Sequence, residues 1–94
     1  MFNKNLRSHE RTPFVDSLEY SVAIMDFNRL KAVEDVAVVI DMSKKGMGIL
    51  TNQPLNVGNV LNFKKNNKIP SHTAVVKWAK MIDETTCRAG IKFT

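Results

Sequence analysis

The strongest constraint on this chain is a period of two in its apolar residues. Leu18, Tyr20, Val22 and Ile24 share one parity while Glu19, Ser21 and Ala23 share the other, and Cys87, Ala89, Ile91 and Phe93 alternate in the same way against Arg88 and Lys92. That period belongs to half-buried strands, whose side chains point to opposite faces in turn. Between these ends lies a β-branched run, Val36 to Ile40, in which Val36, Val38 and Ile40 are assigned to the core. Turn chemistry separates the runs. Asp26 to Glu34 is read as a hairpin connection, Asn52-Gln53-Pro54 closes the run after Gly46 and Gly48, Lys64 to Lys68 as a polar hairpin tip, and Asp83 to Thr86 as the last turn. Val60 to Phe63 is a short strand and Ala74 to Ile82 a longer one. Five or six strands with no helical stretch predict an all-β fold, a small antiparallel β-barrel. Closure would remove the open edges that so many strands create.

Size narrows the function. A chain of 94 residues buries only about 60–65% of the surface its unfolded form exposes, enough for one modest core and not for a deep enzyme cleft. No catalytic set is visible, which predicts a protein that is not an enzyme and needs no cofactor. Cys87 is the only cysteine and falls on the core parity, so neither a disulfide nor a nucleophile is indicated, and with His9 and His72 distant in sequence no metal-ligand spacing appears. The longest apolar run, Val36 to Ile40, is far short of the roughly 20 residues that span a bilayer, and the first ten residues lack a signal core. These features predict a cytoplasmic protein without membrane insertion.

The net charge of +5 is unevenly placed: residues 1–14 sum to +2, residues 15–43 to −4 and residues 44–94 to +7. Such a basic surplus suits an anionic partner. Residues 1–13 have few apolar side chains and no alternation, so a flexible N-terminal arm is expected there, with the barrel over residues 14–94.

Two arginines stand four apart in that arm, Arg7 and Arg11. In a helix they would share a face, and in an extended arm their α-carbons would lie up to roughly 13 Å apart. Either arrangement can reach two parts of one ligand. Directly after the β-branched run comes Asp41-Met42-Ser43-Lys44-Lys45-Gly46, where alternation sets Asp41 and Ser43 on one side, opposite Val36, Val38 and Ile40. A strand end with an Asx or Ser/Thr turn, in which Gly46 supplies a positive φ, is the other reading of this segment.

Taken together, RxxxR in an arm and DxSxxG at a strand end of a small barrel resemble the PilZ domain family. Val76-Lys77-Trp78 and Gly90-Ile91-Lys92-Phe93 look like its Val-x-Trp and Gly-x-x-Phe landmarks, so the resemblance covers nearly the whole chain. It implies a six-stranded antiparallel barrel and a receptor for the bacterial second messenger cyclic di-GMP. It implies also that the arm closes over the ligand on the outer barrel wall and so signals to an unidentified downstream protein, in control of motility, biofilm or surface attachment.

The residue types suit that ligand. A guanidinium fork matches the O6 and N7 acceptors of guanine, pairs with phosphate and stacks on a base, as asked of Arg7 and Arg11. An ionised carboxylate accepts from guanine N1–H and N2–H, as asked of Asp41, with Ser43 adding a hydroxyl and Gly46 letting the backbone approach. Trp78 is read as packing or as flanking a base, and Arg88 faces outward within reach of guanine or phosphate. Leu6 stands where some family members carry a further arginine, which implies one nucleotide per domain. Two alternatives remain open: a small basic barrel binding single-stranded RNA or DNA through lysine-rich loops, disfavoured because Phe63, Trp78 and Phe93 can all be absorbed by the core, and a PilZ-like interaction module that binds no nucleotide.

Overall fold

The structure, a computed structural model, describes residues 12–64 and 69–94. The Arg7/Arg11 motif, Leu6 and most of the Lys64–Lys68 tip lie outside these residues. Six strands form in chain order: β1 (Thr12–Asp26), β2 (Arg29–Met42), β3 (Gly46–Thr51), β4 (Val60–Phe63), β5 (Thr73–Met81) and β6 (Cys87–Phe93). Every pairing is antiparallel and the sheet closes in the order β1-β2-β3-β6-β5-β4. Among the described residues there is no helix, hence none long and apolar enough to cross a membrane.

The alternating residues of β1 and β6 do form the core. Leu18, Tyr20 and Val22 from one side and Cys87, Ala89 and Ile91 from the other are buried, with Ile24 and Phe93 partly so. Leu55, in the β3–β4 connection, joins the same core. Thr51 is the one buried polar residue among those described, and its hydroxyl pairs with the Tyr20 hydroxyl at 2.6 Å while accepting from Gln53 N–H at 3.3 Å. A buried hydroxyl paired in this way avoids the desolvation penalty of an unmade bond.

Three expectations are corrected. First, β2 has the opposite parity: Ala37 and Val39 are buried, whereas Val36 and Val38 remain 50% and 41% exposed. In a run that is apolar at every position, periodicity carries no parity information, and the small Ala37 takes the slot facing the Leu18 side of the barrel. Second, the hairpin connection is only Phe27-Asn28, both with positive φ (50° and 68°), and Arg29 to Glu34 belong to β2. This is the twist-matched two-residue turn, although here an aromatic side chain takes a conformation that costs an L-residue about 1 kcal/mol. Third, closure does not remove every edge. Beyond its contact with β4 at Tyr20–Val22 and with β3 from Ala37 onward, the β1–β2 hairpin continues as a two-stranded ribbon. At the other end β1 already opens at Thr12, and Pro13 pairs with Asp41, so the ladder starts inside the stretch assigned to the arm.

Candidate functional site

Four residues form one row across the outer face of the barrel. Asp41 of β2 pairs with Gly48 of β3, Gly48 with Gly90 of β6, and Gly90 with Trp78 of β5. Both end residues follow an irregularity in the ladder, between Val39 and Asp41 and between Val76 and Trp78. Val39 and Val76 are buried, so strict alternation would turn Asp41 and Trp78 inward as well. The extra residue in each strand, Ile40 and Lys77, reverses that. A bulge re-aims the side chain after it, and here two bulges aim a carboxylate and an indole onto the same outer surface.

The two central glycines give those side chains room. A Cβ on Gly48 would stand 3.1 and 3.3 Å from the Asp41 carboxylate oxygens, and one on Gly90 would lie 2.2 Å from Trp78 Nε1. The carboxylate therefore lies over Gly48 and the indole over Gly90, on directly paired residues of adjacent strands. Gly48 N–H donates to Asp41 Oδ1 at 3.1 Å, which anchors the half-buried side chain. This bond fixes the orientation of the carboxylate, a group with about four acceptor positions. Trp78 is 45% exposed, which corrects its assignment to the core among the absorbable aromatics; Phe63 is buried as expected.

Cations surround the indole. Arg88 and Lys92 stand two residues to either side of Gly90 on the same face of β6, and Arg88 is directly opposite Lys80 of β5. All three are exposed, and among the described residues none of them makes an ion pair. Like charges directly opposed across a ladder are unfavourable by a few tenths to about 1 kcal/mol, and an anion placed between them relieves that. Arg88 thus faces outward as the alternation implies, while Lys80, Lys92, Gly48 and Gly90 are contributors the motifs did not single out. The signal for them was the pairing of two glycines in different strands, which a linear reading does not display.

Ser43 and Gly46 have other duties. Ser43 Oγ accepts from Lys45 N–H at 3.3 Å and donates to the Gly46 carbonyl at 3.4 Å, while Ser43 N–H donates to that carbonyl at 2.8 Å. This is a hydroxyl-stabilised turn, the alternative reading of the segment. Gly46 has no positive φ. A Cβ there would lie 2.0 Å from the Ile91 carbonyl oxygen, so the missing side chain allows β3 and β6 to approach. Asp41 faces outward as expected, by way of the bulge and not of the Val36 parity. Arg7, Arg11 and Leu6 lie outside the described residues, but Thr12, one peptide after Arg11, pairs with Met42 beside Asp41. Cys87 is buried, and among the described residues no cluster of three or more His, Cys, Asp or Glu could hold a metal.

The chain matches no protein-family model, and no curated protein is significantly similar to it.

Proposed function

We propose that this protein is a non-enzymatic receptor for cyclic di-GMP, bound on the outer face above Gly48 and Gly90. The observation that carries the reading is the convergence of Asp41 and Trp78 by two separate bulges onto one glycine-floored surface flanked by Arg88, Lys80 and Lys92. A carboxylate accepts from the N1–H and N2–H edge of a guanine, an indole stacks on its face, and exposed cations meet phosphodiester charge. The RxxxR arm supports the same ligand chemistry. Arg11 immediately precedes Thr12 in the sequence, and Thr12 pairs with Met42, next to Asp41. Closure of the arm over the nucleotide would then change the surface offered to a downstream protein in the cytoplasm, with motility, biofilm formation or surface attachment as the output.

One observation favours a second reading, a single-stranded nucleic-acid binder: the exposed indole among three exposed cations is also a stacking platform. Asp41 on the same surface opposes it, because a carboxylate repels a polyanion. Trp78 is the only tryptophan, so its fluorescence reports on the surface directly. Titration with cyclic di-GMP should quench or shift the emission saturably, and Asp41→Ala should abolish the response. A response to a short oligonucleotide only, weakening steeply with salt, would replace the receptor reading with the second one.

A further inference from the structure

The β1–β2 ribbon leaves an open edge on β2. Asp26 and Arg29 flank the two-residue turn and, in that geometry, exchange both ladder bonds. Alternation from this pair directs the odd residues of β2 toward β1 and leaves the N–H and C=O groups of Leu30, Ala32 and Glu34 on the far edge. From Ala37 onward β3 occupies that edge; below it, no described backbone hydrogen bond reaches residues 29–36 from outside the β1–β2 ladder. Val36 N–H is instead taken by the neighbouring Asp35 carboxylate at 2.7 Å. A two-stranded ribbon is marginal by itself, and its edge is a template for another strand.

We infer that this edge pairs with the same edge of a second copy, antiparallel about a two-fold axis, to form a continuous four-stranded sheet. The sequence of the edge is self-complementary. Arg29 and Lys31 lie at one end and Glu34 and Asp35 at the other, so reversing one copy against the other sets cations beside carboxylates. A two-fold axis normal to the sheet keeps each residue on its own face, so only residues of equal parity meet. The register is also bounded by the barrel, because Thr51 fills the place opposite Ala37 and the partner's turn must stop before it. Ala32 opposite the partner's Ala32 satisfies both conditions. It pairs Arg29 with the partner's Asp35 twice, places the partner's Asn28 beside Val36, and stops one residue short of Thr51. The exposed Ala32 carries no bulk to obstruct the axis.

The test is sedimentation equilibrium of the full chain together with cross-linking. The wild-type protein should run at twice its 10.6 kDa chain mass at sufficient concentration. Ala32→Cys should oxidise to a disulfide-linked dimer, since directly opposed α-carbons at about 5.5 Å suit that bond, whereas Ala23→Cys on the other strand should not; Cys87 is buried and does not compete. Arg29→Glu and Asp35→Arg should each weaken self-association at least tenfold, and mixing the two variants should restore it as a heterodimer. A protein that stays at the chain mass into the millimolar range, equal cross-linking at Ala23 and Ala32, or two variants that fail to associate when mixed would each overturn the inference.

Discussion

Gly90→Ala should lift the Trp78 indole off the barrel while leaving the fold intact. The new Cβ would lie 2.2 Å from Nε1, 2.5 Å from Cε2 and 2.9 Å from Cδ1, all well inside the 3.5–4.0 Å of ordinary contact. The three nearest atoms all belong to one side chain that is 45% exposed, so the indole rotates and the strands stay paired. A tryptophan buries up to about 250 Å²; half of that, at about 25 cal/mol per Å², is a ceiling of about 3 kcal/mol for the contact. The displaced ring recovers part of this on neighbouring surface, and alanine gains about 0.5–1 kcal/mol over glycine within a strand. The net loss should be about 1–2 kcal/mol. Trp78 is the sole tryptophan, so emission and acrylamide quenching read its environment without ambiguity, and urea unfolding reads the stability. The expected result is red-shifted emission, easier quenching and a small drop in the urea midpoint. Gly48→Ala is the control, since its Cβ would meet the Asp41 carboxylate at 3.1–3.4 Å and should leave the emission where it was. Unchanged emission and quenching in Gly90→Ala would refute the placement of the indole over β6, and with it the site.

Gly46→Ala should be far more damaging, because its Cβ would strike the Ile91 carbonyl at 2.0 Å, a backbone atom that cannot rotate away; a loss above about 3 kcal/mol is expected, read as a fall in Tm of more than roughly 12 °C. Tyr20→Phe removes the bond to Thr51 and should cost about 1–2 kcal/mol by urea unfolding at neutral pH. Burial raises the Tyr20 phenol above its ordinary value of 10.0, so the folded state holds the proton longer than the unfolded one. That contribution is present in full below the ordinary value and is lost as pH rises through the folded value, so stability of the wild type should decline there more steeply than that of Tyr20→Phe. Asp83 behaves with the opposite sign. Its carboxylate accepts from Thr85 and Thr86 N–H, both at 2.8 Å, which holds its pKa below the ordinary 3.8. The advantage over Asp83→Asn should be present above that value and vanish as pH falls through the folded one, with an NMR titration of Asp83 locating the transition.

The architecture was legible where apolar and polar residues alternated. β1 from Leu18 and β6 from Cys87 show one face clearly, and their buried residues are those the pattern assigns. Legibility failed where the pattern was uniform. Val36 to Ile40 is apolar throughout, so a slip of one position leaves the sequence looking the same while exchanging every side chain between faces. The bulges at Ile40 and Lys77 were equally hidden, since each depends on which residues oppose it in another strand. Asp41 was singled out for the right position on an incorrect parity, because the bulge cancels the error. Gly46 was visible as a necessary glycine, but the atom it makes room for, the Ile91 carbonyl, is distant in sequence. The charge surplus marked the basic half without showing that Arg88 and Lys80 would face one another beside Trp78.

The central claim is that the surface spanning Asp41, Gly48, Gly90 and Trp78 receives cyclic di-GMP with the arm arginines. Isothermal titration of the full chain with cyclic di-GMP tests it most directly, with GTP as the control ligand and Asp41→Ala and Arg11→Ala as paired variants. Saturable binding of one nucleotide per chain is expected, with no comparable heat from GTP and at least a tenfold loss of affinity in each variant while the circular dichroism of the barrel is unchanged. Absence of binding to the wild-type protein, or binding that both variants retain undiminished, would contradict it.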